Sequence, residues 1–185
     1  SNTTPKPTEW LIEGILPKEF NSVLSGTTGA KKSYLAMMIG MCLANGEKTF
    51  LGKKIHAIGI KVLYVDTEIG KDEYLRRYHR IKSNMEWKDN GNWFAITKSG
   101  SVFDIWDEVH KYANMVNPDL IIIDSLYNST TVDDFSRASG MSKVTNPLTL
   151  FKTTYNTSLL VVSHFNKGGD EMGLNINRMS GSSIF

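Results

Sequence analysis

Cysteine is almost missing. Cys42 is the sole one in 185 residues, so no internal disulfide can form, and such a chain suits a reducing cytoplasm. Long apolar runs are missing too. None approaches the roughly 20 residues that a membrane-spanning helix needs. Residues 1–7 are polar, carry two prolines and lack an apolar signal core, so nothing points to export. Charge of one sign is also absent. With 21 basic and 19 acidic residues the formal balance is +2, too small to indicate a nucleic-acid partner or to exclude one. His56, His79 and His110 have no metal-ligand spacing, and no zinc site is read.

What remains is the composition of an ordinary globular protein, 41% hydrophobic and 22% charged, long enough to bury a sizeable core as one domain. Residues 1–10 read as a flexible lead-in and 11–185 as one folded unit. Short aliphatic runs alternate with amphipathic stretches. Strands are predicted over 21–24, 61–66, 93–97, 120–123 and 158–163, and helices over 32–44, 71–82, 102–115 and 141–155, with a polar loop over 128–140. Asn45-Gly46 stops the first helix. The run at 120–123 is solidly aliphatic, as in strands buried on both faces of a parallel sheet. The expected fold is α/β, a mostly parallel sheet of at least five strands with helices on both faces.

The first strand runs into Gly26, Thr27, Thr28, Gly29, Ala30, Lys31, Lys32, Ser33 and Tyr34, which open the first helix. The phosphate-loop pattern is G-x-x-x-x-G-K-[ST]. Gly26, Lys32 and Ser33 match it, and Lys31 replaces the second glycine. The chemistry needs backbone N–H groups wrapped around phosphates at a helix N-terminus, a lysine for the β/γ-phosphate charge and a hydroxyl for Mg²⁺. Lys31 crowds the phosphates, or demands a less ordinary backbone angle, or instead points outward and adds positive charge. The plain alternative is a glycine-containing turn before a helix with two exposed lysines.

Three polar residues end predicted strands or follow them. Asp124 closes the aliphatic run at the strand end where such sheets bind ligands, and is placed to reach Mg²⁺ with Ser33. Glu68 follows the strand 61–66 by two residues and is placed to polarise an attacking water, with Asp66 as competitor for that role. His164 follows the last strand and is placed to sense the γ-phosphate. The plain readings are a turn-starting acid, a helix-start carboxylate and a surface histidine. Arg76, Arg77, Arg80 and Lys82 share one charged helix, read as a solvated or subunit-facing surface. Trp87, Trp93 and Trp106 read as packing residues, and Met37, Met38 and Met41 as core filler.

Together the segments WLIEGILPKEFNSVLSG, KVLYVDTE with YLRRYHRI, LIIIDSLY, LLVVSHFNK and RMSGSS resemble the RecA-like P-loop ATPases, especially the RepA-type hexameric replicative helicases of plasmids and phages. The resemblance covers 10–185 and implies a RecA-like ATPase core that continues past Phe185. It implies ATP and Mg²⁺ at the interfaces of a homo-oligomeric ring, usually hexameric, with Glu68 as catalytic glutamate and His164 at the sensor position. A neighbour's cation completes each site, and Arg178 and Lys167 are the candidates. It further implies single-stranded DNA on loops 128–140 and 167–177, unwinding in phage or plasmid replication, a primase domain or protein as possible associate, no membrane, and the cytoplasm of a bacterium or a phage's host. Two other classes stay open: a RecA-like regulatory or loader ATPase that does not unwind, and a catalytically weak nucleotide-binding module with Lys31 as its cause.

Overall fold

The computed structural model describes residues 6–27, 29–126 and 138–164, with the backbone alone at 138–144 and 164. The described chain opens with two short antiparallel strands, β1 (Trp10–Ile12) and β2 (Leu16–Pro17), and continues through β3 (Asn21–Gly26) into α1 (Lys32–Asn45). A second small hairpin, β4 (Thr49–Phe50) and β5 (Lys53–Lys54), precedes β6 (Val62–Asp66), α2 (Gly70–Lys82) and β7 (Trp93–Thr97). A 3₁₀ turn (Val102–Ile105), α3 (Trp106–Val116), β8 (Leu120–Asp124), α4 (Ala138–Tyr155) and β9 (Ser158–His164) complete it.

The order β3-β9-β8-β6-β7 makes one parallel five-stranded sheet, with every neighbouring pair parallel. β6 and β8 are buried at every position, because helices cover both faces. Side-chain alternation divides the core. Val62, Tyr64, Leu120, Ile122, Leu160 and Val162 face the layer containing α1 and the inner side of α2. Leu63, Val65, Ile121, Ile123, Leu159 and Val161 face the other layer, with Val109 and Ala113 of α3 and Leu148 and Phe151 of α4. The two hairpins add Leu11, Ile12, Leu16, Phe50 and Ile55 to the α1 side. This is the α/β RecA-like P-loop architecture expected.

α1 is buried nearly all round. Met37 and Met41 are fully buried beside Ile39 and Leu43, which fits their reading as core filler. Gly40 sets how close the helix lies to the sheet: a Cβ there would stand 2.6 Å from Ile122 Cδ1 and 2.8 Å from Trp93 Cζ3. The helix ends as expected. Gly46 takes φ 76°, and its N–H donates to the carbonyls near the last turn.

Two boundaries differ from the periodicity. The first four residues of the helix expected at 102–115 form the 3₁₀ turn, because Ser101 and Asp104 make a capping box, with Phe103 N–H donating to Ser101 Oγ at 3.1 Å. α4 starts at Ala138, inside the stretch expected as a loop. The rest of that loop, with Thr28 and everything after His164, lies outside the described residues.

Candidate nucleotide-binding site

Parallel strands all point their carboxyl ends one way, so the polar residues that follow β3, β6 and β8 gather at one rim of the sheet. The phosphate loop leaves β3 at Gly26 and enters α1 at Lys32. Lys32 is buried, and its ammonium donates to the Gly26 and Thr27 carbonyls at 2.8 Å each. Burial pushes its pKa down, while the nearby Glu68 and Asp124 carboxylates hold it up. The lysine is therefore anchored against its own loop, with both acids in its field.

At Lys31 the structure shows the backbone angle and the side-chain exposure. The residue caps α1 at φ 60°, ψ 26°, the left-handed conformation that a glycine takes without strain, and it does so with an exposed side chain. It lines the same cavity as Lys32, so it both adopts the unusual angle and adds positive charge.

Ser33 Oγ donates to Asp124 Oδ1 at 3.1 Å. Strand parity explains the meeting. Asp124 follows Leu120 and Ile122 on the α1 face, which is the face where Ser33 opens the helix. Asp124 is 1% exposed. Burial raises its carboxyl above the ordinary range, and the hydrogen bonds from Tyr64 and Ser33 partly oppose this. A hydroxyl beside a carboxylate is an all-oxygen donor pair suited to a hard divalent cation, so these two residues fit Mg²⁺. Thr67 braces the strand end. Its hydroxyl donates to Ser125 O at 2.8 Å and accepts from Ser125 N–H at 3.1 Å, beside a cis Asp124–Ser125 peptide.

Asp66 and Glu68 take different positions at this rim. Asp66 is fully buried, and its Oδ1 accepts from the N–H groups of Glu68 and Ile69 at 3.0 Å each. Burial raises its carboxyl, and those backbone bonds partly offset the rise. Asp66 thus shapes the turn that delivers Glu68, and Glu68 is the exposed acid on the cavity wall.

The cavity holds about 760 Å³. One wall is the phosphate loop with Tyr34, and the other is α2, which contributes Glu73, Arg76, Arg77 and Arg80. Glu73 accepts from Arg76 Nε at 2.8 Å and Arg77 Nε at 2.9 Å. Five cationic side chains against two carboxylates give a positive lining, the sign that a polyphosphate needs. In the sequence these arginines read as a solvated or subunit-facing surface. Helical periodicity marks a charged face but not what it faces, and only the placement of α2 beside the loop reveals it.

His164 ends β9, with its backbone in register beside Gly26. Thr28, Lys167 and Arg178 lie outside the described residues, as do loops 128–137 and 167–177.

The sequence profile of the AAA domain family matches residues 1–170. This chain belongs to the AAA domain family. In that family it is a RecA-like P-loop ATPase domain by fold and by its loop. Among solved structures, the AAA domain resembles the KaiC-like protein PH0186 from the hyperthermophilic archaeon Pyrococcus horikoshii OT3 with a TM-score of 0.57. The two are 16% identical, over 86% of this chain and 71% of that one, a likeness of fold alone. No curated protein matches this AAA domain.

Proposed function

We propose that this chain is the ATP-hydrolysing motor of a ring-shaped DNA helicase serving phage or plasmid replication. The observation that carries the ATPase part is the convergence of Lys32, Ser33, Asp124 and Glu68 at one positively lined rim of the sheet. The helicase part is supported by the resemblance of the motor segments to RepA-type proteins.

In this reading the loop's N–H groups and Lys32 bind the β- and γ-phosphates, with Lys31 and the α2 arginines adding charge from the cavity wall. Ser33 and Asp124 hold Mg²⁺, which supplies charge neutralisation on the phosphates when bound. Glu68 accepts a proton from the attacking water. The water oxygen bonds to the γ-phosphorus as the bond to the β–γ bridging oxygen breaks, giving ADP and phosphate. His164, with Lys167 and Arg178 of a neighbouring copy, is assigned to reporting the γ-phosphate and completing the site. Single-stranded DNA runs through the ring, six copies being the expected number.

Steady-state ATP hydrolysis with and without single-stranded DNA, followed by unwinding of a forked duplex, tests the assignment. Turnover that rises with DNA and is coupled to unwinding supports the motor. Turnover indifferent to DNA moves the chain to the regulatory ATPases. Bound nucleotide without turnover makes it a binding module.

A further inference from the structure

Asp124 has two carboxylate oxygens, and only Oδ1 is engaged by Ser33. The other, Oδ2, accepts a hydrogen bond from the Tyr64 hydroxyl. Tyr64 sits in the middle of β6, opposite Ile122 of β8, and its hydroxyl reaches two residues along the neighbouring strand on the same face. Tyr64 and Asp124 are both buried. The Tyr64 ring is fixed as well. It stacks on Trp93 with centroids 5.6 Å apart and lies 6.0 Å from the Tyr74 ring. Trp93 Nε1 in turn donates to the Tyr74 hydroxyl at 2.8 Å.

A tyrosine inside an aliphatic strand is an expensive choice unless its hydroxyl has a task, since phenylalanine fills the same space without a polar group to satisfy. Here the task is visible. A buried carboxylate that must offer one oxygen to a cation needs its other oxygen held, or it rotates.

We propose that Tyr64 is a positioning residue for magnesium: by donating to Asp124 Oδ2 from a ring clamped by Trp93 and Tyr74, it fixes the carboxylate so that Oδ1 stays beside Ser33. The inference rests on the nucleotide-site reading above. It assigns Tyr64 no contact with nucleotide and no part in the chemical step.

The test is a Mg²⁺ titration of mant-ADP binding, with Tyr64→Phe and Tyr74→Phe beside the wild type. Tyr74→Phe is the packing control, because it keeps the ring beside Tyr64 and removes only a hydroxyl that accepts from Trp93 Nε1 and makes no bond to Asp124. The expected result is that Tyr64→Phe needs about tenfold or more Mg²⁺ for half-effect. Its affinity for mant-ADP in EDTA should be unchanged, and Tyr74→Phe should titrate like the wild type. A Tyr64→Phe titration equal to the wild type overturns the proposal, as does an equal shift in both variants, which would make the effect one of packing. Wild-type binding that ignores Mg²⁺ overturns the magnesium-nucleotide reading itself, and Tyr64's role with it. A second measurement needs no variant. Adding Mg²⁺ to the nucleotide-bound wild type should perturb the tyrosine ultraviolet difference spectrum as the charge on Asp124 is compensated, and a flat difference spectrum counts against the proposal.

Discussion

Replacing Lys31 with glycine should stabilise the protein and weaken its hold on nucleotide at the same time. Lys31 occupies φ 60°, ψ 26° at the N-terminus of α1. A left-handed conformation costs a side-chain-bearing residue roughly 1–2 kcal/mol, and a cation at a helix N-terminus costs about 0.3–1 kcal/mol more. Glycine removes both terms but gives back about 0.4–1 kcal/mol through the greater freedom of the unfolded chain. The net gain is about 1 kcal/mol, or roughly 2–4 °C in melting temperature for a domain of this size. The loss in binding comes from one exposed ammonium on the wall of the phosphate cavity. Near water's dielectric constant such a charge is worth about 1 kcal/mol at 4 Å, or about fivefold in affinity, and it should fade as salt rises. Thermal melting without ligand and mant-ADP titration at low and high salt read the two effects separately. Lys31→Asn, which tolerates the left-handed angle but carries no charge, should keep most of the stability and show the same loss of affinity. A glycine variant that melts lower shows that the left-handed angle carries no strain, and one that binds nucleotide as tightly as the wild type at low salt shows that the Lys31 charge does not reach the phosphates. A large rise in its hydrolysis rate would instead mean that Lys31 impairs the loop.

Two further outcomes follow from the core and the buried acid. Gly40→Ala should lower the melting temperature, because the new Cβ stands 2.6 Å from Ile122 Cδ1 and 2.8 Å from the rigid Trp93 ring. Overpacking of about 1–3 kcal/mol outweighs the roughly 1 kcal/mol gained by alanine over glycine in a helix. Asp124→Asn should raise the melting temperature at neutral pH while abolishing the magnesium effect. Burial lifts the Asp124 carboxyl above its unfolded value, so its contribution to stability is fully present below that unfolded value and is lost as pH rises through the folded one. The gap between variant and wild type should therefore close as pH is lowered into the ordinary carboxylate range, which melts across a pH series would show.

The parts of the architecture that the sequence displayed are those with strong local signals. The aliphatic runs of β8 and β9 and the Asn45-Gly46 stop sit where expected, because burial on both faces and a left-handed glycine leave plain marks in composition. The hairpins β1–β2 and β4–β5 were not legible, since strands of two or three residues have no periodicity to read. At the site, spacing alone brought Lys32, Ser33 and Asp124 to one rim but could not separate Asp66 from Glu68. That choice depends on which acid is drawn under the strand end to hold the backbone of the turn, a three-dimensional matter. Tyr64 was invisible for a similar reason. In the sequence it is one more large residue in a buried strand, and its meaning comes from the register that sets it diagonally across from Asp124. The α2 arginines gained a cavity to face only when the helix was placed.

The proposed motor stands or falls on whether this cavity hydrolyses ATP with Glu68 as the group that activates water. Single-turnover hydrolysis and nucleotide affinity, measured on Glu68→Gln and Lys32→Ala beside the wild type, address it most directly. If Glu68 activates the water, Glu68→Gln binds ATP as well as the wild type but hydrolyses it about 10²–10⁴-fold more slowly, and Lys32→Ala loses binding. Glu68→Gln turning over at the wild-type rate would remove Glu68 from the chemical step.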